Sequence, residues 1–90
     1  MAGKEGSDTE RATLARAIGT AIAEARAEQS VTQEELAKRA GFRQHHVSRW
    51  ELGLVVASVE TLARVARALS APVRGTLPDG SSFTVTPGGL

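Results

Sequence analysis

The sequence predicts a mainly α-helical domain closed at its C-terminus by a β-hairpin, and three observations carry that prediction. Apolar residues recur at spacings of three and four over residues 14–25 and 59–69, the period of an amphipathic helix. Capping boxes of the form Ser/Thr-x-x-Glu occur at Ser7-Asp8-Thr9-Glu10 and Thr32-Gln33-Glu34-Glu35, and each announces a helix. Beyond Pro72 the apolar period falls to two on either side of a Pro78-Asp79-Gly80 turn signal. Ninety residues leave room for one core, and with aromatics at 3% that core must be built from Ala, Leu, Val and Ile.

In chain order, residues 1–8 are small, polar and glycine-bearing and are expected to form a disordered tail. A first helix is expected from about Thr9, burying Leu14, Ile18, Ala21, Ile22 and Ala25 and ending near Gln29-Ser30. The second follows at once from Thr32, with Leu36, Ala37 and Ala40 inward and Gly41 in the left-handed conformation that ends it. A third short helix over residues 43–52 turns Val47 and Trp50 inward, with Phe42 tucked beneath its first turn. Ser58 caps a fourth, in which Val59, Leu62, Val65, Ala66 and Leu69 form the apolar stripe and Arg64 and Arg67 lie outside. This divides the chain into a tail (1–8), a helical domain (9–70), a hairpin (71–86) and a second tail (87–90).

Net charge is only +1, but its distribution is uneven. Residues 1–30 hold five acids and four bases, whereas Lys38, Arg39, Arg43 and Arg49 lie between Leu36 and Trp50 with two histidines and no acid. Other chemistries find little support. There is no cysteine, no apolar run of the ~18 residues a membrane span needs, and no signal-peptide core, so a cytoplasmic protein without disulfides is expected. His45 and His46 point about 100° apart on a helix with no acid beside them, which argues against a metal site. No nucleophile with a base, phosphate loop or carboxylate pair is recognisable, so neither catalysis nor a cofactor is expected.

The run TQEELAKRAG, followed by VSRWE-x-G, resembles the Cro and phage-repressor (Xre) family of helix-turn-helix DNA-binding domains. The likeness extends over about residues 14–70. It implies a compact, lambda-repressor-like bundle of four or five helices, its third helix in the major groove of double-stranded DNA, binding operators as a homodimer. Carried over by position, Gln33 is implied to touch the phosphate backbone, and Arg43, Gln44, His45, Ser48 and Arg49 to meet base edges and nearby phosphates. Lys38 is a further contact candidate, on an outer helix face where bases are often simply solvated. Arg26 and Glu51 match an ion pair that ties the first helix to the end of the third.

Major-groove edges offer Gln a bidentate fit to adenine and Arg one to guanine, which suits Gln44 with Arg43 or Arg49. Three departures from the family pattern stand out. Arg43 replaces a Ser or Thr cap, Leu54-Val55-Val56 replaces a polar loop and so is open to protein contact, and the hairpin replaces a frequent fifth helix. The hairpin, through Val73, Leu77, Phe83 and Val85, is therefore the expected dimer interface. A transcriptional repressor is the function implied. The alternative is an antitoxin that holds a protein toxin and autoregulates its operon, because HipB-type antitoxins also follow an Xre core with a strand.

Overall fold

The computed structural model describes residues 2–88, with side chains from Thr9 onward. In chain order it runs α1 (Ala2–Glu28), α2 (Gln33–Ala40), α3 (Gln44–Glu51), α4 (Val59–Leu69), β1 (Val73–Thr76) and β2 (Ser82–Val85). The mainly helical class with a terminal hairpin is therefore what the chain adopts.

One boundary differs. The backbone is helical from Ala2, where sequence places a tail over residues 1–8, so Ser7 lies inside a helix and its box with Glu10 marks no terminus. Ala2, Lys4 and Glu5 are good helix formers and no proline interrupts the segment, which lets the helix run on past Thr9. The hydroxyl of Thr13 donates to the Thr9 carbonyl at 2.8 Å, a back-bond that requires helix at Thr9. Met1 and the last two residues of the 87–90 tail lie outside the described residues.

The second capping box does mark a helix start. Thr32 Oγ1 accepts from the Glu35 amide at 3.0 Å, and the Glu35 carboxylate accepts from the Thr32 amide at 2.9 Å. The Thr32 amide first, and the Thr32 side chain after it, hold the Glu35 carboxyl below its ordinary range. Gly41 ends α2 at φ +80°, a left-handed conformation that would strain any residue with a Cβ, and the chain turns directly into α3. Ser58 caps α4 by accepting from the Thr61 amide at 3.1 Å.

The core gathers one face of each helix. Ile22, Leu36, Val47 and Val65 are fully buried, with Ile18, Trp50, Leu62 and Leu69 around them. The helices α1 and α3 approach so closely at Gly19 that a side chain there would run into the Trp50 carbonyl and the Glu51 backbone.

The hairpin pairs Val73 with Val85 and Thr76 with Ser82, antiparallel. In its turn the Asp79 carboxylate accepts from the Ser81 hydroxyl at 2.6 Å and from its amide at 2.9 Å, which holds Asp79 below the usual carboxylate range. Its packing takes one residue out of the expected dimer interface. Val73 is fully buried within its own chain, and Phe83 and Val85 pack half-buried against the same core. Only Leu77 lies out toward the turn, half-buried, its amide donating to the Ser81 carbonyl at 2.7 Å. A two-stranded hairpin is marginal by itself, and this one gains its stability by covering α1 and α4.

Gly19→Ala should destabilise the domain by at least about 2 kcal/mol, because backbone atoms on both helices must move to admit one methyl group. Urea denaturation followed by circular dichroism measures it, and a change below a few tenths would show that the two helices can part freely.

Candidate nucleic-acid interface

At the centre of the site Arg26 and Glu51 form a two-point ion pair. Arg26 Nε donates to Glu51 Oε2 at 2.8 Å and Nη2 to Oε1 at 2.9 Å, while Nη1 donates to the Val31 carbonyl at 3.0 Å. The side chains are 21% and 8% exposed, so the planar fork of arginine compensates a carboxylate almost withdrawn from water. Hydrogen bonding to Glu51 raises the Arg26 pKa further above its already high value. The pair joins the last turn of α1 to the last residue of α3.

Gln33 enters the same network, with Nε2 donating to Glu51 Oε1 at 2.9 Å. A side chain assigned to phosphate from sequence is thus engaged with α3, and its role in placing that helix was not legible from sequence. Since it sits at the first position of α2, its backbone amide still faces outward from a helix N-terminus.

Stepping around α3 at about 100° per residue places Gln44, His45, Ser48 and Arg49 on one side, opposite buried Val47 and Trp50. Gln44, His45 and Arg49 are exposed and Ser48 is half-buried. Leu52 continues the same face beyond the last turn, 65% exposed, a residue that sequence reasoning left out of the site. Its signal was the simple i+4 step from Ser48. Arg43 precedes the helix as its N-cap residue at φ −99° and ψ 153°, with no side-chain capping bond. Lys38 is exposed in the last turn of α2. Among the described residues, none of the Lys38, Arg43, Gln44, Ser48 or Arg49 side chains has a hydrogen bond or ion pair.

His46 stands at the edge of that face, its ring stacked on Trp50 at 6.4 Å between centroids and 4.2 Å from the ring of His45. Phe42 meets Trp50 edge-on at 4.8 Å, and the Arg64 guanidinium lies 4.1 Å over the Phe42 ring. Arg64 also donates to the Ala40 carbonyl at 2.6 Å and so caps the C-terminus of α2. Sequence places it only outside the apolar stripe, and it is exposed. No cluster of three or more His, Cys, Asp or Glu is assembled among the described residues, and no helix there is long and apolar enough to cross a membrane.

A family model described as helix-turn-helix matches residues 22–74, which spans α2, the turn, α3, α4 and the start of the hairpin. The chain belongs to the Cro/C1-type helix-turn-helix family. This is a family of DNA-binding rather than catalytic domains. Among solved structures, the clp gene regulator ClgR from Corynebacterium glutamicum superposes with a TM-score of 0.64 at 38% identity, covering 67% of this chain and 78% of that one. A second structure of that regulator gives 0.61 at 38% identity, covering 64% and 62%. Multiprotein-bridging factor 1 of Candida albicans is 34% identical over 58 residues, 64% of this chain. The match spans only 38% of that relative's length.

Replacing Glu51 by Ala strands the Arg26 guanidinium in a half-buried setting and should cost about 2–3 kcal/mol. Chemical denaturation tests this, and Glu51→Gln, which keeps one acceptor, should recover part of the loss.

Proposed function

We propose that this protein is a sequence-specific double-stranded DNA-binding transcriptional regulator, acting as a repressor by occupying its operator as a homodimer. The observation that carries the reading is the outward face of α3, which presents Gln44, His45, Ser48 and Arg49 without an acid and without intramolecular polar partners. Groups left unpaired on a rigid helix are available for the donors and acceptors of the major groove. On this reading Gln44 and Arg49 read base edges, Leu52 offers apolar contact to a thymine methyl, and Lys38 and the amide of Gln33 hold phosphates.

Similarity to ClgR, named as a clp gene regulator, supports a role in transcription. The antitoxin alternative drew on the C-terminal strands. Those strands pack on their own helices, and no observation favours a toxin partner.

Arg43 separates folding from binding. A cation without a capping bond at a helix N-terminus opposes both the orphan amides and the dipole, so its presence is explained by the groove that the helix enters.

Gln44→Ala and Arg49→Ala should each weaken binding to a duplex selected from a random pool by about 1–3 kcal/mol. Fluorescence anisotropy reads this directly, and wild-type affinity in both variants would remove α3 from the interface. Arg43→Ser should act in opposite directions, stabilising the fold by about 1 kcal/mol while weakening DNA binding. Paired thermal and anisotropy measurements check the two signs, and a stabilised protein with unchanged affinity would refute the account of Arg43.

A further inference from the structure

We propose that the recess between α2 and α4 ringed by Arg39, Arg64 and Arg67 is a binding site for a small anion that carries a diphosphate group. The recess measures ≈ 270 Å³, and Ala40 and Ala68 complete its lining. Those two residues add only methyl groups, so three guanidinium groups are the polar side chains around it. All three are permanently charged.

Gathering three like charges on one side of a fold costs stability unless something neutralises them, and the described residues supply no partner. Arg39 and Arg67 have no hydrogen bond or ion pair among those residues. Glu35 and Glu60 stand four positions before Arg39 and Arg64, the helical spacing that favours pairing, yet neither forms an ion pair with them. The Glu35 carboxylate instead accepts from the Thr32 amide. Arg64 is fixed rather than free. Its Nη2 donates to the Ala40 carbonyl and its guanidinium lies over the Phe42 ring, while Nε and Nη1 have no acceptor among the described residues. One fork is thus held in place with donors to spare.

Size and charge select the ligand. A single phosphate group carries about −1.5 to −2 charge at pH 7, which leaves part of three cations unanswered, whereas two linked phosphates answer them all. At about 30 Å³ per water the recess has room for about nine, and a diphosphate has about that many heavy atoms. Guanidinium forks hold phosphate oxygens two at a time, which a lysine ammonium does not, and every cation of the recess is an arginine. The recess also lies off the face assigned to DNA. Arg64 meets α3 through Phe42 and Trp50, on the side opposite Gln44 and Arg49, so the site does not depend on the reading proposed above.

Isothermal titration calorimetry of the full chain with inorganic diphosphate tests the proposal, with phosphate and sulfate as single-group controls and ADP as a nucleotide bearing the same group. Diphosphate should bind at least ~tenfold more tightly than either control, and Arg39→Gln and Arg67→Gln should each weaken it at least ~tenfold. Neither variant should lower the thermal midpoint of the free protein, since neither side chain bonds within the fold, and diphosphate should raise that midpoint in wild type. Binding of ADP as well as the inorganic ion assigns the group to a nucleotide, and binding of the inorganic ion alone assigns it to the free anion; both uphold the site. Absence of diphosphate binding overturns the proposal, as do equal affinities for diphosphate and sulfate, or binding that both variants leave unchanged. Anisotropy with a selected duplex separates the recess from the DNA surface. A duplex that displaces diphosphate, and that both variants bind less well, makes the recess part of the duplex surface and the proposal falls. A protein that takes diphosphate but no selected duplex upholds the site and removes the DNA reading alone.

Discussion

The ion pair between Arg26 and Glu51 is the constraint on which the placement of α3 depends. It connects the last turn of α1 with the last residue of α3 at two points, and through Gln33 it also holds the first residue of α2. Three helix ends are therefore fixed relative to one another by a single carboxylate. Hydrophobic contact alone would hold these helices together but would let α3 rotate or slide. A directional network with an 8% exposed acceptor permits one arrangement.

Close backbone approach makes that network reachable. Gly19 lets α1 lie against the α3 backbone at Trp50, one residue before Glu51. At the edge of the exposed face and behind it, Phe42, His46 and Trp50 pack edge and face along α3, so the helix is supported along its length by rings and at its end by charge. Rigidity of this kind matters for recognition, since base discrimination requires donors held in place before the groove is met.

Much of this was legible in the sequence, and the parts that were not share a physical reason. Helix periodicity, the Thr32 box, the Gly41 turn and the alternation after Pro72 are local signals, and each corresponds to an element of the fold. The face of α3 followed from local spacing as well. The bonds that Gln33 and Arg64 make within the chain are not legible, because their partners, Glu51 and the Ala40 carbonyl, lie 18 and 24 residues away, a separation that composition and periodicity do not report. The covering of Val73 by its own chain is not legible either, because alternation reveals that a strand has an apolar face but not what covers it. The N-terminal boundary lies upstream of the Ser7-Asp8-Thr9-Glu10 box because a capping-box pattern can also occur inside a helix that propensity carries past it.

Arg64 has a wider consequence. By capping α2 from α4 and covering Phe42, it makes the turn that aims α3 a property of the fourth helix as much as of the two that it joins. Residues 32–53 are thus not a transplantable cassette. Grafted alone into another scaffold, they would carry the chemistry of recognition without the angle at which it is presented, and a working exchange of specificity between relatives must keep α4 and swap only the outward side chains.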